Sequence, residues 1–310
     1  MWKDSEAKID YLDYGYLVHT LNIIILNKEL SPSTIGVYGD WGSGKSSLLN
    51  ISKETLEKEK DVLCISFNAW LFESYEDAKI ALMNSILAEI EVKATLSEKG
   101  KRLLKKLYSN IDVMKIASKG VKYGIDFFLT GGVGTAAEIG IGGLRKIVET
   151  VAKGKLASIS DEEIEEAFNK NFGKSNILTT IKSFHCDFKE LLEDTKLNTI
   201  VIYIDELDRC SPDTILDVLE AIRLFLFTDK TSFVIGADER HISYAVKRKF
   251  EEIEGNQIDI GKEYLEKLIQ YPIRIPRLNQ SNVEHYIIYL FMQLRLSGAC
   301  KIICVKLDLI

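Results

Sequence analysis

Apolar positions along the chain fall into two rhythms. Short, near-continuous runs occur at Ile35–Tyr38, Val62–Phe67, Thr199–Ile204, Thr231–Ile235 and Ile273–Ile275. Most of their residues are β-branched or aromatic and are bounded by turn or polar residues, which predicts five strands. The lack of strict alternation suits strands buried on both faces, as in a parallel sheet. Elsewhere the spacing is helical. Ile9, Leu12, Tyr16, Leu17, Leu21, Ile24 and Ile25 mark an amphipathic helix leading into the core, with a break at Pro32, and Ala78–Glu91 reads as a crossover helix. Alternating strands and helices predict an α/β fold, a parallel sheet with helices on both faces.

One interval is too long for a single crossover. Residues 68–198 separate the second and third strands, whereas loops in α/β units run to roughly 2–6 residues. Beyond Ala78–Glu91, Leu103–Ile147 reads as a second helical region with a glycine-rich middle, and Asp161–Leu192 as a third. Ser160-Asp161-Glu162-Glu163 has the form of a helix N-cap followed by first-turn acids. The expected division is therefore 1–91 and 199–280 as the two halves of one core, with 92–198 a helical insertion. Residues 281–310 read as the start of a helical C-terminal region that is cut short.

The window Gly120–Leu144 is apolar enough to raise a membrane span. Asp126 and Glu138 interrupt it, leaving no charge-free run of the roughly 18 residues required, and an aspartate at mid-bilayer costs about 2.5–3.5 kcal/mol. A buried helical pair or an amphipathic segment touching a membrane is favoured over a transmembrane hairpin.

The sharpest chemical signal is Gly39-Asp40-Trp41-Gly42-Ser43-Gly44-Lys45-Ser46, which matches G-x-x-x-x-G-K-[ST] at every fixed position. It lies between a predicted strand and a helix opening at Ser47-Leu48-Leu49. Glycines let backbone N–H groups wrap phosphates without a Cβ in the way, and the helix N-terminus adds partial positive charge. Lys45 is expected to reach the β- and γ-phosphates and Ser46 to offer its hydroxyl to Mg²⁺. Ser47 completes the expected nucleotide-binding segment.

The strand Thr199–Ile204 ends in Asp205-Glu206. A strand-end aspartate suits a magnesium holder, the role expected of Asp205. The glutamate after it can polarise an attacking water, the role expected of Glu206. Asp208 and Arg209 follow, either as a local pair fixing the loop or as groups that orient the acids or touch the nucleotide. Thr231–Ile235 runs on through Gly236 and Ala237 to Asp238. Should that strand lie between the other two, Asp238 would face the γ-phosphate as a sensor; the alternative is an N-cap for a helix starting Glu239-Arg240.

Together these residues resemble the KAP family of P-loop NTPases, within the additional-strand, catalytic-glutamate class. The phosphate loop, F-N-A-W at Phe67–Trp70, D-E-L-D-R-C at Asp205–Cys210 with L-E-A-I-R-L-F at Leu219–Phe225, and Y-L-E-K-L-I-Q-Y-P at Tyr264–Pro272 carry the resemblance. It implies a P-loop NTPase core and ATP as the nucleotide. Lys45, Ser46, Asp205 and Glu206 take the nucleotide and magnesium roles and Asp238 the sensor role. Relatives in this family carry a large helical insertion, in many cases with membrane spans, and bacterial ones are associated with phage exclusion and membrane-associated signalling. The charged insertion here departs from the membrane-spanning members. An arginine completing the site from the C-terminal side would fall in the missing region; Arg274 and Arg277 are the nearest candidates.

Composition narrows the setting. The chain has 310 residues, 46% apolar and 28% charged, an ordinary globular balance. A net charge of -6 argues against nucleic-acid binding through bulk charge. The basic run Lys99, Lys101, Arg102, Lys105 and Lys106 reads as a solvated helix face. Cys64, Cys186, Cys210, Cys300 and Cys304 are scattered and odd in number, as suits reduced thiols of a cytoplasmic protein. His19, His185, His241 and His285 form no nucleophile–base set. An ATPase driving a conformational or assembly switch is favoured, with self-association or a partner protein engaged through the insertion and membrane contact left open. The alternative is a nucleotide-dependent interaction module with little hydrolysis. A small-molecule kinase would need a lid pattern that the chain does not show.

Overall fold

The computed structural model describes residues 10, 12–73, 77–120, 174–225, 228–249 and 260–295. In chain order the elements are α1 (Gly15–Leu26), β1 (Ser33–Tyr38), α2 (Lys45–Leu56), β2 (Val62–Asn68), α3 (Ala78–Lys93), α4 (Glu98–Gly120), α5 (Lys174–Asp194), β3 (Thr199–Asp205), α6 (Pro212–Phe225), β4 (Thr231–Ala237), α7 (Glu239–Lys249), α8 (Ile260–Leu268), β5 (Tyr271–Arg274) and α9 (Gln280–Arg295). Two compact units emerge. One comprises Met1–Ser74, Leu197–Leu216 and Asp229–Ile310; the other comprises Tyr75–Lys196 and Asp217–Thr228.

The first unit is built on a five-stranded sheet in the order β2-β3-β4-β1-β5, and every pairing is parallel. This is the predicted α/β parallel-sheet core. β4 lies between β1 and β3, so the strand leading to the phosphate loop and the strand ending in Asp205 are separated by the one ending at Ala237. Register aligns their C-terminal ends: Tyr38 pairs with Ala237, Ile204 with Ile235 and Asn68 with Asp205. All the strand-end polar residues therefore emerge along one edge, where open parallel sheets take their ligands.

The strands run slightly beyond their apolar runs. β1 begins at Ser33, whose hydroxyl bonds that of Ser232 at 2.9 Å in the sheet interior, so a polar pair is satisfied where the pattern shows no apolar residue. β5 is Tyr271–Arg274 rather than Ile273–Ile275, although the Ile275 N–H still donates to the Tyr38 carbonyl at 2.8 Å. Pro272 is tolerated because β5 is an edge strand.

α1 begins at Gly15, later than the apolar spacing suggests, and buries Leu17, Val18, Leu21, Asn22 and Ile25 while leaving Tyr16 exposed. With Leu48, Leu49 and Leu56 of α2 it covers Ile35, Val37, Val201, Tyr203 and Val234 of the sheet. A buried polar junction lies within this layer. The Ser52 hydroxyl of α2 donates to Asn22 Oδ1 of α1 at 2.6 Å and shares a hydrogen bond with the Tyr203 hydroxyl of β3 at 2.9 Å. Burial pushes the Tyr203 phenol well above its usual range, so it stays protonated. Ser52 thus ties the helix that follows the phosphate loop to the strand that ends in Asp205.

In the second unit, α3 is capped by Asp77, which accepts from the Lys79 and Ile80 N–H groups. Its Ile80, Leu82, Met83, Ile86 and Ile90 are buried. Phe184 and Phe188 of α5 pack edge-on against Phe225 of α6 at centroid distances of 5.6 and 4.9 Å. Lys79 and Glu220 form a buried ion pair at 2.6 Å. Acids answer the basic run: Lys99 meets Glu190, Lys101 meets Glu98 at 2.8 Å and Lys106 meets Asp187 at 2.7 Å. Among the described residues, no helix is long and apolar enough to cross a membrane. The window through Leu144, the expected cap at Ser160, the start of the third helical region, Cys300, Cys304 and the last residues of the chain lie outside the described residues.

Removing the Ser52 hydroxyl strands two buried polar partners, at about 1–3 kcal/mol for each group left unsatisfied. Ser52→Ala is expected to lower unfolding free energy by about 2–4 kcal/mol in urea titrations followed by circular dichroism, and Tyr203→Phe by about 1 kcal/mol, since Ser52 then keeps Asn22.

Candidate functional site

The phosphate loop leaves β1 at Gly39 and enters α2 at Lys45. The Ser43 N–H closes onto the Asp40 carbonyl at 3.1 Å, and Gly44 takes a left-handed φ of +92° as the helix cap. An L side chain is disfavoured there, which is why a glycine must precede Lys45. A Cβ at Gly39 would collide with the Ser43 hydroxyl. Ser43 Oγ itself is buried without a hydrogen-bond partner. A buried hydroxyl with nothing to bond is costly, and here it lies in a turn of backbone whose sequence suits phosphate oxygens. Trp41 projects from the loop, 81% exposed.

Lys45 is buried. Its ammonium donates to the carbonyls of Gly39 at 3.1 Å and Asp40 at 3.3 Å, and pairs with Asp208 Oδ2 at 3.2 Å. This ion pair joins the loop to the turn that carries Asp205 and Glu206. Asp208 therefore pairs with the loop lysine and not with its neighbour Arg209. The same Asp208 Oδ2 accepts the Asp238 N–H at 3.0 Å, fixing the end of β4 as well.

Asp205 ends β3. Its Oδ1 accepts the Glu206 N–H at 2.8 Å, and a Cβ on Gly236 of the neighbouring strand would lie 3.1 Å from that oxygen. Glycine there leaves the aspartate room. Glu206 adopts the left-handed region at φ 58°, a strain of about 1–3 kcal/mol for a residue with a side chain. Both carboxylate oxygens are held: Oε2 accepts from Asn68 Nδ2 at 2.8 Å, and Oε1 pairs with Arg209 at 3.2 Å. Asn68 Oδ1 accepts the Trp70 N–H at 3.0 Å, which orients the amide, and the Arg209 guanidinium lies 5.6 Å from the Trp70 ring.

Asp238 caps α7, its Oδ1 accepting the Arg240 N–H at 2.9 Å. It also takes the Arg240 side chain through Nε and Nη2, at 3.0 and 2.6 Å. These hydrogen bonds hold its carboxyl below the usual aspartate range, so it stays ionised through neutral pH. Arg274 pairs with Glu239 at 2.9 Å, and Arg277 with Asp40 at 3.2 Å.

These contacts bring Gly39, Asp40, Ser43, Gly44, Lys45, Asp205, Glu206, Asp208 and Asp238 to one edge of one sheet. A family model for the KAP family P-loop domain matches residues 17–297. The chain belongs to the KAP family. It is 27% identical over 279 residues to a phage T7 exclusion protein of Escherichia coli K12, a match covering 86% of this chain but 33% of that protein. It is 29% identical over 180 residues to an uncharacterised protein of Methanocaldococcus jannaschii, covering 54% of this chain and 86% of the other. The KAP chain thus spans about a third of the length of its Escherichia coli relative. A P-loop domain of this family is a nucleotide-binding unit.

Three members of the constellation have partners that no motif supplies, although Asn68 and Trp70 both lie in F-N-A-W. Asn68 sits one residue past an apolar run, and only the β2–β3 pairing puts it opposite Asp205. Arg240 follows Asp238 by two residues, within reach of its carboxylate, but its second partner Asp40 is distant in sequence. Trp70 shows as a motif residue, yet its role under Arg209 needs the fold. For a cofactor, Ser46 and Asp205 offer hard oxygen donors of the kind Mg²⁺ takes. Among the described residues, no group of three or more His, Cys, Asp or Glu side chains forms a metal cluster; a magnesium ion carried on phosphates needs only one or two protein oxygens.

Cys210 is buried, and its thiol is pushed up to about 12 by desolvation, aided by Glu73, Asp208 and Glu206. The thiolate is the reactive form. In native KAP protein at pH 8, iodoacetamide is expected to label exposed Cys186 and spare Cys210 and Cys64, as read by peptide mass spectrometry; labelling of Cys210 as fast as Cys186 would contradict this burial.

Proposed function

We propose that this KAP domain binds ATP with Mg²⁺ and hydrolyses it, coupling cleavage to a conformational or assembly switch. The observation that carries the reading is the Lys45–Asp208 ion pair at 3.2 Å, which ties the phosphate loop to the turn bearing Asp205 and Glu206. Gly39–Ser47 would wrap the phosphates with backbone N–H groups. Lys45 would exchange Asp208 and two carbonyls for β- and γ-phosphate oxygens. Mg²⁺, held by Ser46 and Asp205, would neutralise charge developing on those oxygens. Glu206 would take a proton from a water whose oxygen attacks the γ-phosphorus, as the bond to the β–γ bridging oxygen breaks and ADP leaves. Asp238, at the end of the central strand β4, would sense the terminal phosphate.

A second reading, a nucleotide-dependent interaction module with slow turnover, draws support from the double hold on Glu206. A carboxylate with both oxygens engaged, by Asn68 and Arg209, leaves less room for a water until one partner lets go. The two readings meet if a partner protein or second copy, engaged through the helices between β2 and β3, relieves that hold. The Escherichia coli relative's name suggests phage exclusion as a setting.

Glu206→Gln is expected to lower phosphate release by about 10²–10³-fold while keeping nucleotide affinity. Lys45→Ala is expected to weaken ATP binding by roughly 10–100-fold, measured by titration with a fluorescent analogue. Equal turnover in wild type and Glu206→Gln would remove Glu206 as the base. Unchanged affinity in Lys45→Ala would remove the phosphate role of the loop.

A further inference from the structure

A closed circuit of contacts runs around the loop and the strand ends. Lys45 Nζ touches the Asp40 carbonyl at 3.3 Å and Asp208 Oδ2 at 3.2 Å. Asp208 Oδ2 accepts the Asp238 N–H at 3.0 Å. The Asp238 carboxylate holds Arg240, and Arg240 Nη2 closes the circuit on Asp40 Oδ1 at 2.8 Å. Two cations therefore span this edge of the sheet, Lys45 from inside and Arg240 from outside.

They differ in freedom. Lys45 is buried, whereas the Arg240 side chain is 70% exposed, so it can change partner without dragging charge out of an apolar interior. Its guanidinium is anchored along one edge, Nε and Nη2 on Asp238, and meets Asp40 only through Nη2. Asp40 does not depend on it, because Arg277 Nε pairs with the other Asp40 oxygen at 3.2 Å. Loss of the Arg240–Asp40 contact therefore leaves no carboxylate unanswered. A planar guanidinium with several donors suits a tetrahedral phosphate dianion better than a single aspartate oxygen.

We propose that Arg240 reads the terminal phosphate, exchanging Asp40 for the γ-phosphate of a bound nucleoside triphosphate and keeping Asp40 when a diphosphate is bound. This rests on the proposal that the loop is an ATP site, and it adds the residue that separates triphosphate from diphosphate. Arg240 lies in the first turn of α7, and its neighbour Glu239 holds Arg274 at the end of β5. The exchange thus changes the tie between the phosphate loop and the α7–β5 edge of the sheet.

The test is competition of unlabelled ATP and ADP, each with Mg²⁺, against a fluorescent ADP analogue on the full chain. Arg240→Ala is expected to weaken ATP about tenfold and ADP less than about twofold. Arg240→Lys keeps the charge without the fork and should recover only part of the ATP affinity. Asp40→Asn removes the competitor for the guanidinium and should raise the preference for ATP over ADP. A purely structural clip predicts a lower Tm with ATP and ADP weakened alike; that result, or no change in either affinity, overturns the proposal. Should Arg240→Ala fail to fold by circular dichroism, an unchanged ATP-to-ADP ratio in Asp40→Asn overturns it. Wild-type protein that binds neither nucleotide sinks the ATP-site reading, and this inference with it. ATP bound in a Lys45-dependent way, with equal losses in Arg240→Ala, sinks the inference alone.

Discussion

A buried ammonium must be answered by negative charge, and much of this site follows from how Lys45 is answered. Desolvating a lone cation is far costlier than a single hydrogen bond can return. Two loop carbonyls and the Asp208 carboxylate share the task. Because Asp208 lies three residues past Asp205, the same pair draws the acid-bearing turn against the phosphate loop. Because Asp208 also accepts the Asp238 N–H, it positions the end of β4. One carboxylate thus organises three segments far apart in sequence, and phosphate oxygens would compete with it for Lys45.

The layer beneath makes that meeting possible. Ser52 joins α2 to β3 through Tyr203 and to α1 through Asn22, so the helix carrying Lys45 cannot slide along the strand carrying Asp205 without breaking buried hydrogen bonds. Parallel register then delivers Asn68, Asp205 and Asp238 to the same edge. At the acid-bearing turn the backbone is left-handed at Glu206, φ 58°, and the residue is held there by Asn68, Arg209 and the short turn that follows. The proposed base is thereby held through both of its carboxylate oxygens.

The fold was legible because its signals are local. Five apolar runs became five strands, and the phosphate loop sat between a strand and a helix as its spacing requires. Edges were less legible: β1 starts on Ser33, buried through Ser232, and β5 includes an edge proline. The candidate site was legible where a motif marks its residues, as at Lys45 and at Asp205-Glu206. It was opaque where pairing across the sheet decides the outcome. Nothing near Asp208 in sequence says that its partner is Lys45 rather than Arg209, and nothing near Asp40 says that arginines 240 and 277 will find it. Of the two readings of Asp238, the hydrogen bonds show the cap of α7; the other asked for β4 between β1 and β3, where it lies, and its phosphate role belongs to the proposal.

The proposed function requires the loop at 39–46 and the acids at 205–206 to serve one magnesium–nucleotide complex. Replacing Mg²⁺ with paramagnetic Mn²⁺ and recording its binding and its coupling to ³¹P in the presence of ATP tests this most directly. ATP-dependent Mn²⁺ binding with phosphorus coupling is expected in the wild type, weakened in Asp205→Asn and in Lys45→Ala alike. Full, wild-type Mn²⁺–ATP binding in Asp205→Asn, alongside its loss in Lys45→Ala, would show that the two segments do not share a site.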